Sequence, residues 1–284
     1  MATEAELALL LDKLTFDRRL NVVEGLTPFR NALRADADGN VLRFLNRQIS
    51  ELQGERRGGI AFAIAEHYRL TGNVEELRRL FFREDVYVKE PVLDALTGEP
   101  GSNSDMGAAI VQLAIEGMSD ASEKVRSTAC RVVQNQCAGD SDVTAAVLPL
   151  RSLLDDASDD VRYFAAYAVG NLAKTGYDMV SHIASLTANM KSGSIHLRAA
   201  SAWALWQLSR SKHDIGPAIA ELAQLLADRG DYNEPRKRAA GALLNHAKKS
   251  SKNASQVKQQ VKKTRLDSNF KEVNRFLEQL GRIS

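Results

Sequence analysis

Four carboxamide side chains recur at near-constant spacing. Asn135, Asn171 and Gln207 follow one another at 36 residues, and Asn245 comes 38 residues later. Four positions before each stand Arg131, Tyr167, Trp203 and Gly241, one turn away if these segments are helical. A carboxamide both donates and accepts, so a row of them can hold an extended peptide backbone. An aromatic ring one turn away is a shelf for the side chain in between. That is binding chemistry, and the residues of catalysis are scarce beside it. The histidines, His67, His182, His196, His213 and His246, include no pair at helical i, i+4 spacing. Gln53-Gly-Glu-Arg-Arg-Gly-Gly59 lacks the Lys-Ser/Thr of a phosphate-cradling loop and reads as a flexible helix start. Asp36-Ala-Asp-Gly-Asn40 has the look of a calcium loop but lacks the later glutamate, so it reads as a turn. Neither Gly-x-Ser-x-Gly nor Cys-x-x-Cys is present. Cys130 and Cys137 lie seven apart on one expected helix, a spacing that does not favour a bridge, and read as reduced core thiols. No catalytic residue, metal or cofactor is expected.

The elements that must position the amides are repeated. Aligning on an arginine gives Val125-Arg126-Ser-Thr-Ala129, Val161-Arg162-Tyr-Phe-Ala165, Leu197-Arg198-Ala-Ala-Ser201 and Pro235-Arg236-Lys-Arg-Ala239. Weaker copies lie at Val88-Lys89-Glu-Pro-Val92 and around Arg56-Arg57. In the best copy, Asp159 and Asp160 sit where the positive end of a helix dipole favours them. Val161, Ala165, Ala168, Val169 and Leu172 then make an apolar stripe of helical period. A fixed period of this length is the signature of stacked helical hairpins.

The pattern Asp-x-Val-Arg-x-x-Ala-Ala-x-Ala-Leu-Gly-x-Leu resembles the second helix of a HEAT repeat of the short bacterial type, also found in phycobilisome-lyase-type proteins. Residues 156–172 carry it almost completely, 120–137, 192–208 and 231–247 in part, within a resemblance spanning roughly 74–250. The resemblance implies an all-α fold, a right-handed α-solenoid of about six HEAT-like helical hairpins with helical caps. It specifies fold better than function, because such repeats serve scaffolds, adaptors and a few enzymes. HEAT-like iron hydroxylases carry repeated His-Glu dipeptides, and this chain has none.

First helices are expected at Val41–Leu52, Val74–Phe82, Met106–Met118, Val143–Leu154, Val180–Met190 and Ile215–Ala227. Each precedes a second helix, at about 55–69, 87–97, 122–137, 159–174, 194–210 and 234–248. Pro149 should kink its helix, whereas Pro217 and Pro235 fall in tolerant first turns. Residues 1–40 read as an N-terminal cap with helix over 4–14 and from Leu20 to Leu33, broken near Thr27-Pro28. Residues 41–250 form the array with a possible hinge at 99–105. Residues 251–284 form a basic C-terminal cap with helices at Val257–Thr264 and Phe270–Leu280.

Counting each repeat arginine as zero, positions 3, 4, 6, 7 and 10 are small or aliphatic and inward. Positions 1, 5 and 9 share the opposite helix face, which HEAT-like stacking would place on the concave surface. Down the array they are Ser127, Arg131, Asn135; Tyr163, Tyr167, Asn171; Ala199, Trp203, Gln207; and Lys237, Gly241, Asn245. The row resembles in part the Trp-x-x-x-Asn ladder of armadillo-type solenoids, which hold extended peptides. The expected partner-binding set is therefore Arg131, Asn135, Tyr163, Tyr167, Asn171, Trp203, Gln207 and Asn245, with Trp206 and Phe164 packing between repeats. The arginines themselves are expected to pair with acidic loop residues such as Asp120, Glu123, Asp155, Asp156, Asp159 and Asp160.

Charge is divided along the chain. Residues 1–228 hold 24 Lys+Arg against 31 Asp+Glu, a net −7, and residues 229–284 hold 14 against 5, a net +9. The basic end, with Lys237, Arg238, Lys248 and Lys249, could meet phosphates or an acidic partner. A non-catalytic scaffold or adaptor binding a protein, as a peptide or a folded domain, is the leading reading. Nucleic-acid contact, bilin-lyase-like chromophore handling and glycosylase chemistry are the alternatives. No run reaches the length of a membrane span, and the acidic N-terminus does not resemble a secretory signal; the expected location is cytoplasmic.

Overall fold

The computed structural model describes residues 3–17, 22–82, 85–98, 104–139, 141–211, 213–228, 230, 233–267 and 269–283. The expected hinge at 99–105 lies mostly outside them; Ser104 and Asp105 already open a helix. The chain forms two compact units, Met1–Val143 and Thr144–Ser284.

The first unit begins with helix α1 (Glu4–Leu11), whose Thr3 and Glu6 cap each other reciprocally. A strand pair stands in place of the start of the helix expected from Leu20. Strands β1 (Thr15–Asp17) and β2 (Val22–Glu24) pair antiparallel, with Phe16 opposite Val23. Helix α2 (Leu26–Arg34) starts only after Gly25, whose φ of +70° brings its backbone against the Lys13 carbonyl where no Cβ would fit. The β-branched pair Val22-Val23 suits the strand, and Pro28 sits harmlessly in the first turn of α2.

Hairpins come next in the chain: α3 (Asn40–Glu51) with α4 (Gly54–Thr71), α5 (Val74–Phe81) with α6 (Val86–Ala95), and α7 (Ser104–Gly117) with α8 (Glu123–Gln136). The glycines expected to loosen the start of α4 do something else. Gly58 and Gly59 are buried, and a Cβ on either would lie 3.0 Å from Phe16 Cβ or Thr15 N. They are the notch into which the hairpin of the cap settles, with Phe16 fully buried. Asp36 anchors the turn before α3 by accepting from Leu42 N at 3.1 Å.

In the second unit each first helix opens as a 3-10 turn and then widens. Thr144–Ala146 leads into α9 (Val147–Leu153), Val180–His182 into α11 (Ile183–Asn189), and Gly216–Ala218 into α13 (Ile219–Ala227). Pro149 therefore falls in the first turn of α9 rather than kinking a longer helix. The same junction occurs before α11, which has no proline, so the kink expected from Pro149 is a property of the repeat. The second helices are α10 (Asp159–Thr175), α12 (Ile195–Arg210) and α14 (Asn233–Ala247). Alanines such as Ala165, Ala168, Ala202 and Ala204 are fully buried, which lets α10, α12 and α14 stack closely.

A loop device recurs before the second helices. Asp85, Asp120, Asp156, Ser192 and Asp228 each accept, through a side-chain oxygen, from the backbone N–H two residues on, at 2.7 to 3.1 Å. The repeat arginine then closes the same loop. Arg126 donates to the Asp120 and Ala121 carbonyls, both at 2.9 Å, and Arg198 to the Ser192 carbonyl at 2.9 Å. Arg236, 2 % exposed, reaches the Gly230 carbonyl at 2.9 Å and Asn233 Oδ1 at 2.7 Å. Arg162 is held by a carboxylate of its own first turn, Asp159. The expected ladder to the next repeat's loop is made by Arg57–Asp85 at 2.5 Å, Lys89–Asp120 at 2.8 Å and Arg198–Asp228 at 3.4 Å. The repeat cation is thus a loop clamp first and an ion-pair partner second.

Helix α15 (Ser251–Thr264) starts earlier than expected because Ser250 Oγ accepts from Asn253 N. It packs on α13 and α14, and α16 (Lys271–Gly281) packs on α14. No described helix is long and apolar enough to cross a membrane.

Candidate protein-binding face

In the second unit, α10, α12 and α14 bring the expected aromatic residues into one continuous run. Tyr163 and Tyr167, one turn apart on α10, meet edge to face at 4.9 Å between centroids, and Tyr167 leans on Trp203 of α12 at 5.0 Å. Phe164 lies edge-on to Tyr163 at 4.9 Å, and Tyr163 lies edge-on to His196 at 6.4 Å. All three members of the main run are half-buried. Such pairs contribute about 1 kcal/mol each beyond the area they bury. Burial, and then the neighbouring Tyr167, push the Tyr163 phenol up to about 12, so it stays a protonated donor at neutral pH.

The rings are held by complementary volumes. Trp203, at position 5 of its repeat, lies flat over Gly170, at position 8 of the preceding one; a Cβ on Gly170 would clash with the indole and sit 3.1 Å from Ala204 Cα. One repeat on, the sizes exchange. Trp206, at position 8, covers Gly241, at position 5, whose Cβ would lie 2.9 Å from the indole. Across α10–α12 and α12–α14, positions 8 and 5 thus share one space, and each of these two pairs fills it with one tryptophan and one glycine. Trp206 does pack between repeats, and Arg210 and Arg238 each also lie 5.4 Å from its ring centre. The signal was in the sequence as Gly170 and Gly241, but only the 8-to-5 pairing of neighbouring helices gives it meaning.

The amides are placed less freely. Asn171 Nδ2 donates to the Tyr167 carbonyl at 3.1 Å, within its own helix. Asn245 Nδ2 donates to Ser209 Oγ at 3.1 Å, tying α14 to α12. Gln207 is buried and its Oε1 lies 3.4 Å from Arg210. In the first unit, Asn135 Nδ2 reaches the Thr97 carbonyl at 2.6 Å, and Arg131 pairs with Asp94 at 3.0 Å. Burial raises the Asp94 pKa in spite of that arginine. Among the described residues, Oδ1 of Asn171 and of Asn245 accepts no hydrogen bond, so each keeps an acceptor for a partner's N–H. Ser127, expected on the exposed face, is instead buried and donates to the Lys124 carbonyl within its own helix.

At the basic end, Lys237 and Arg238 share Glu234, each at 3.3 Å. Lys248 and Lys249 are both exposed as residues, but the Lys249 ammonium turns in to donate to the His213 carbonyl at 2.6 Å, where partial burial lowers its pKa. No three His, Cys, Asp or Glu side chains converge as a metal site among the described residues. Cys130 and Cys137 carry buried thiols.

A family model described as HEAT repeats matches residues 111–206. No curated protein sequence matches the chain. Among solved structures, an engineered protein superposes with a TM-score of 0.65 at 18% identity, over 99% of this chain and 78% of its own. A designed armadillo repeat protein in complex with peptide (KR)4 superposes at 0.62 and 19% identity, over 73% of this chain and 98% of its own. Computationally designed armadillo repeat proteins for modular peptide recognition superpose at 0.53 and 19%, over 78% and 99%. With the repeated loop clamps and stacked second helices, these likenesses support an all-α helical-repeat solenoid that carries HEAT repeats over residues 111–206.

Proposed function

We propose that this chain is a non-catalytic scaffold or adaptor that binds a protein partner on the outward face of its second helices, in the form of an extended peptide. The observation that carries this reading is the half-buried run Tyr163–Tyr167–Trp203. Tyrosine and tryptophan are among the side chains that most often dominate binding energy, and these rings are held by their neighbours while still reaching the surface. Asn171 and Asn245, each with an oxygen acceptor to spare, lie on the same helix faces and can receive peptide N–H groups. The likeness to armadillo repeat proteins built for peptide recognition supports the same mode.

The test is selection from a peptide display library on the wild-type chain, followed by measured affinity for a selected peptide. Tyr167→Ala combined with Asn171→Ala should weaken it about tenfold or more, measured well below the variant's lowered thermal transition and with its helical circular dichroism matching wild type. Affinity retained within about twofold would reject this face as the site. A library that yields no binder, while polynucleotide binds with a steep salt dependence, would move the function to nucleic acid.

A further inference from the structure

We infer that the groove between α14 and α16 is a second docking surface, one that takes an acidic peptide segment carrying an apolar anchor. The groove is open, about 680 Å³ in volume, and its floor is apolar: Trp206, Gly241, Leu244 and Phe276. That volume suits a few side chains of a peptide. Leu244 and Phe276 are 8 % and 1 % exposed and belong to the packed interface of α14 with α16, so the floor is rigid. Trp206 lies over Gly241 and lines the groove.

The rim carries the opposite character. Lys237, Lys271 and Arg275 line it, and Arg210 and Arg238 flank the indole of Trp206. Against these five cations stand Glu234, shared between Lys237 and Arg238, and Glu272. Among the described residues neither Lys271 nor Arg275 has an ion-pair partner. A surplus of positive charge around an apolar floor is complementary to carboxylates flanking an apolar side chain. A nucleic-acid strand would be served by cations following a line of phosphates; here two carboxylates interrupt the ring and no such line forms. This surface is separate from the Tyr163–Tyr167–Trp203 face and uses neither its rings nor its amides, so the two stand or fall independently.

The probe is a short fluorescein-labelled peptide in which glutamates flank a single phenylalanine, followed by fluorescence anisotropy and by quenching of tryptophan emission. Lys271→Glu and Arg275→Glu lie on the exposed face of α16, so their urea unfolding curves should match wild type. Together they should weaken the peptide by about tenfold or more. Replacing the peptide's phenylalanine by alanine should also weaken it, and Tyr167→Ala/Asn171→Ala should leave it unchanged. The inference is overturned if the charge-reversed chain, folded as wild type, binds within about twofold. It is equally overturned if oligothymidylate competes better than the peptide and depends on Lys271 and Arg275, which would make this a nucleic-acid site. Concentration-dependent self-association that Lys271→Glu with Arg275→Glu abolishes, and that the peptide does not compete away, would make a second copy the occupant instead.

Discussion

Gly170 offers the sharpest test of how the second helices are locked together. In Gly170→Ala the new Cβ meets the Trp203 ring, with Cε3 only 2.6 Å away, and Ala204 Cα at 3.1 Å. The helix backbone at Ala204 cannot yield, and the indole is braced by Tyr167 at 5.0 Å. Relief therefore requires the ring to leave its seat by about an ångström, which puts the cost at the upper end of overpacking, ~3 kcal/mol. Alanine in place of a helical glycine returns ~1 kcal/mol, leaving a net loss of ~2 kcal/mol. Both tryptophans of the chain, Trp203 and Trp206, lie in the second unit, so tryptophan emission during urea unfolding reads this unit directly. At an m-value of ~2 kcal/mol per molar urea the midpoint should fall by about 1 M. The clash disappears when the ring does, so Gly170→Ala combined with Trp203→Ala should unfold no earlier than Trp203→Ala alone, a strongly non-additive cycle. Gly241→Ala is the contrast. There the closest indole atoms are at 2.9 Å and Trp206 borders an open groove, so a small shift suffices and the midpoint should stay near wild type. A Gly170→Ala chain as stable as wild type, or an additive cycle, would refute the complementary-volume account.

Three other substitutions and titrations have defined outcomes. Arg131→Ala strands Asp94, which is 8 % exposed, without its cation, and should cost ~2–3 kcal/mol at pH 7 by urea denaturation. Burial already raises the Asp94 pKa, and losing the arginine raises it further, so the folded variant takes up the proton more readily than the unfolded chain does. Its deficit should therefore shrink as pH falls through the raised value toward the ordinary carboxylate range; a pH-independent deficit would contradict the pairing. His182 and His246 are buried, and burial holds both below the usual 6.5. Depressed histidines bind fewer protons folded than unfolded, so second-unit stability should be whole above pH 6.5 and decline as pH falls below it, followed as the tryptophan-detected urea midpoint. Arg236→Lys keeps the charge but loses the fork that spans the Gly230 carbonyl and Asn233, and should cost ~2 kcal/mol by the same measurement.

Sequence determined the repeat. The 36-residue spacing of Arg126, Arg162 and Arg198, with small apolar residues on one helical stripe, was enough to place the second helices to within a residue or two. Periodicity works here because each hairpin must present the same face to its neighbours, so the constraint is written afresh in every copy. It failed where no copy existed: the strands Thr15–Asp17 and Val22–Glu24 belong to the cap, and their pairing rests on the notch made by Gly58 and Gly59, far along the chain. The candidate face was legible as residue types and only half legible as geometry. Tyr163, Tyr167 and Trp203, read onto one helix face from the period, touch one another in the fold, since that needs only neighbouring turns and neighbouring repeats. The hydrogen bonds of the amides depended on what the adjacent repeat offered: a carbonyl at Thr97 for Asn135, a hydroxyl at Ser209 for Asn245, the helix's own backbone for Asn171. Pairings between repeats, including the exchange of tryptophan and glycine at positions 5 and 8, are decided by the offset at which two helices stack. That offset comes from the summed packing of the whole interface, which no single segment encodes.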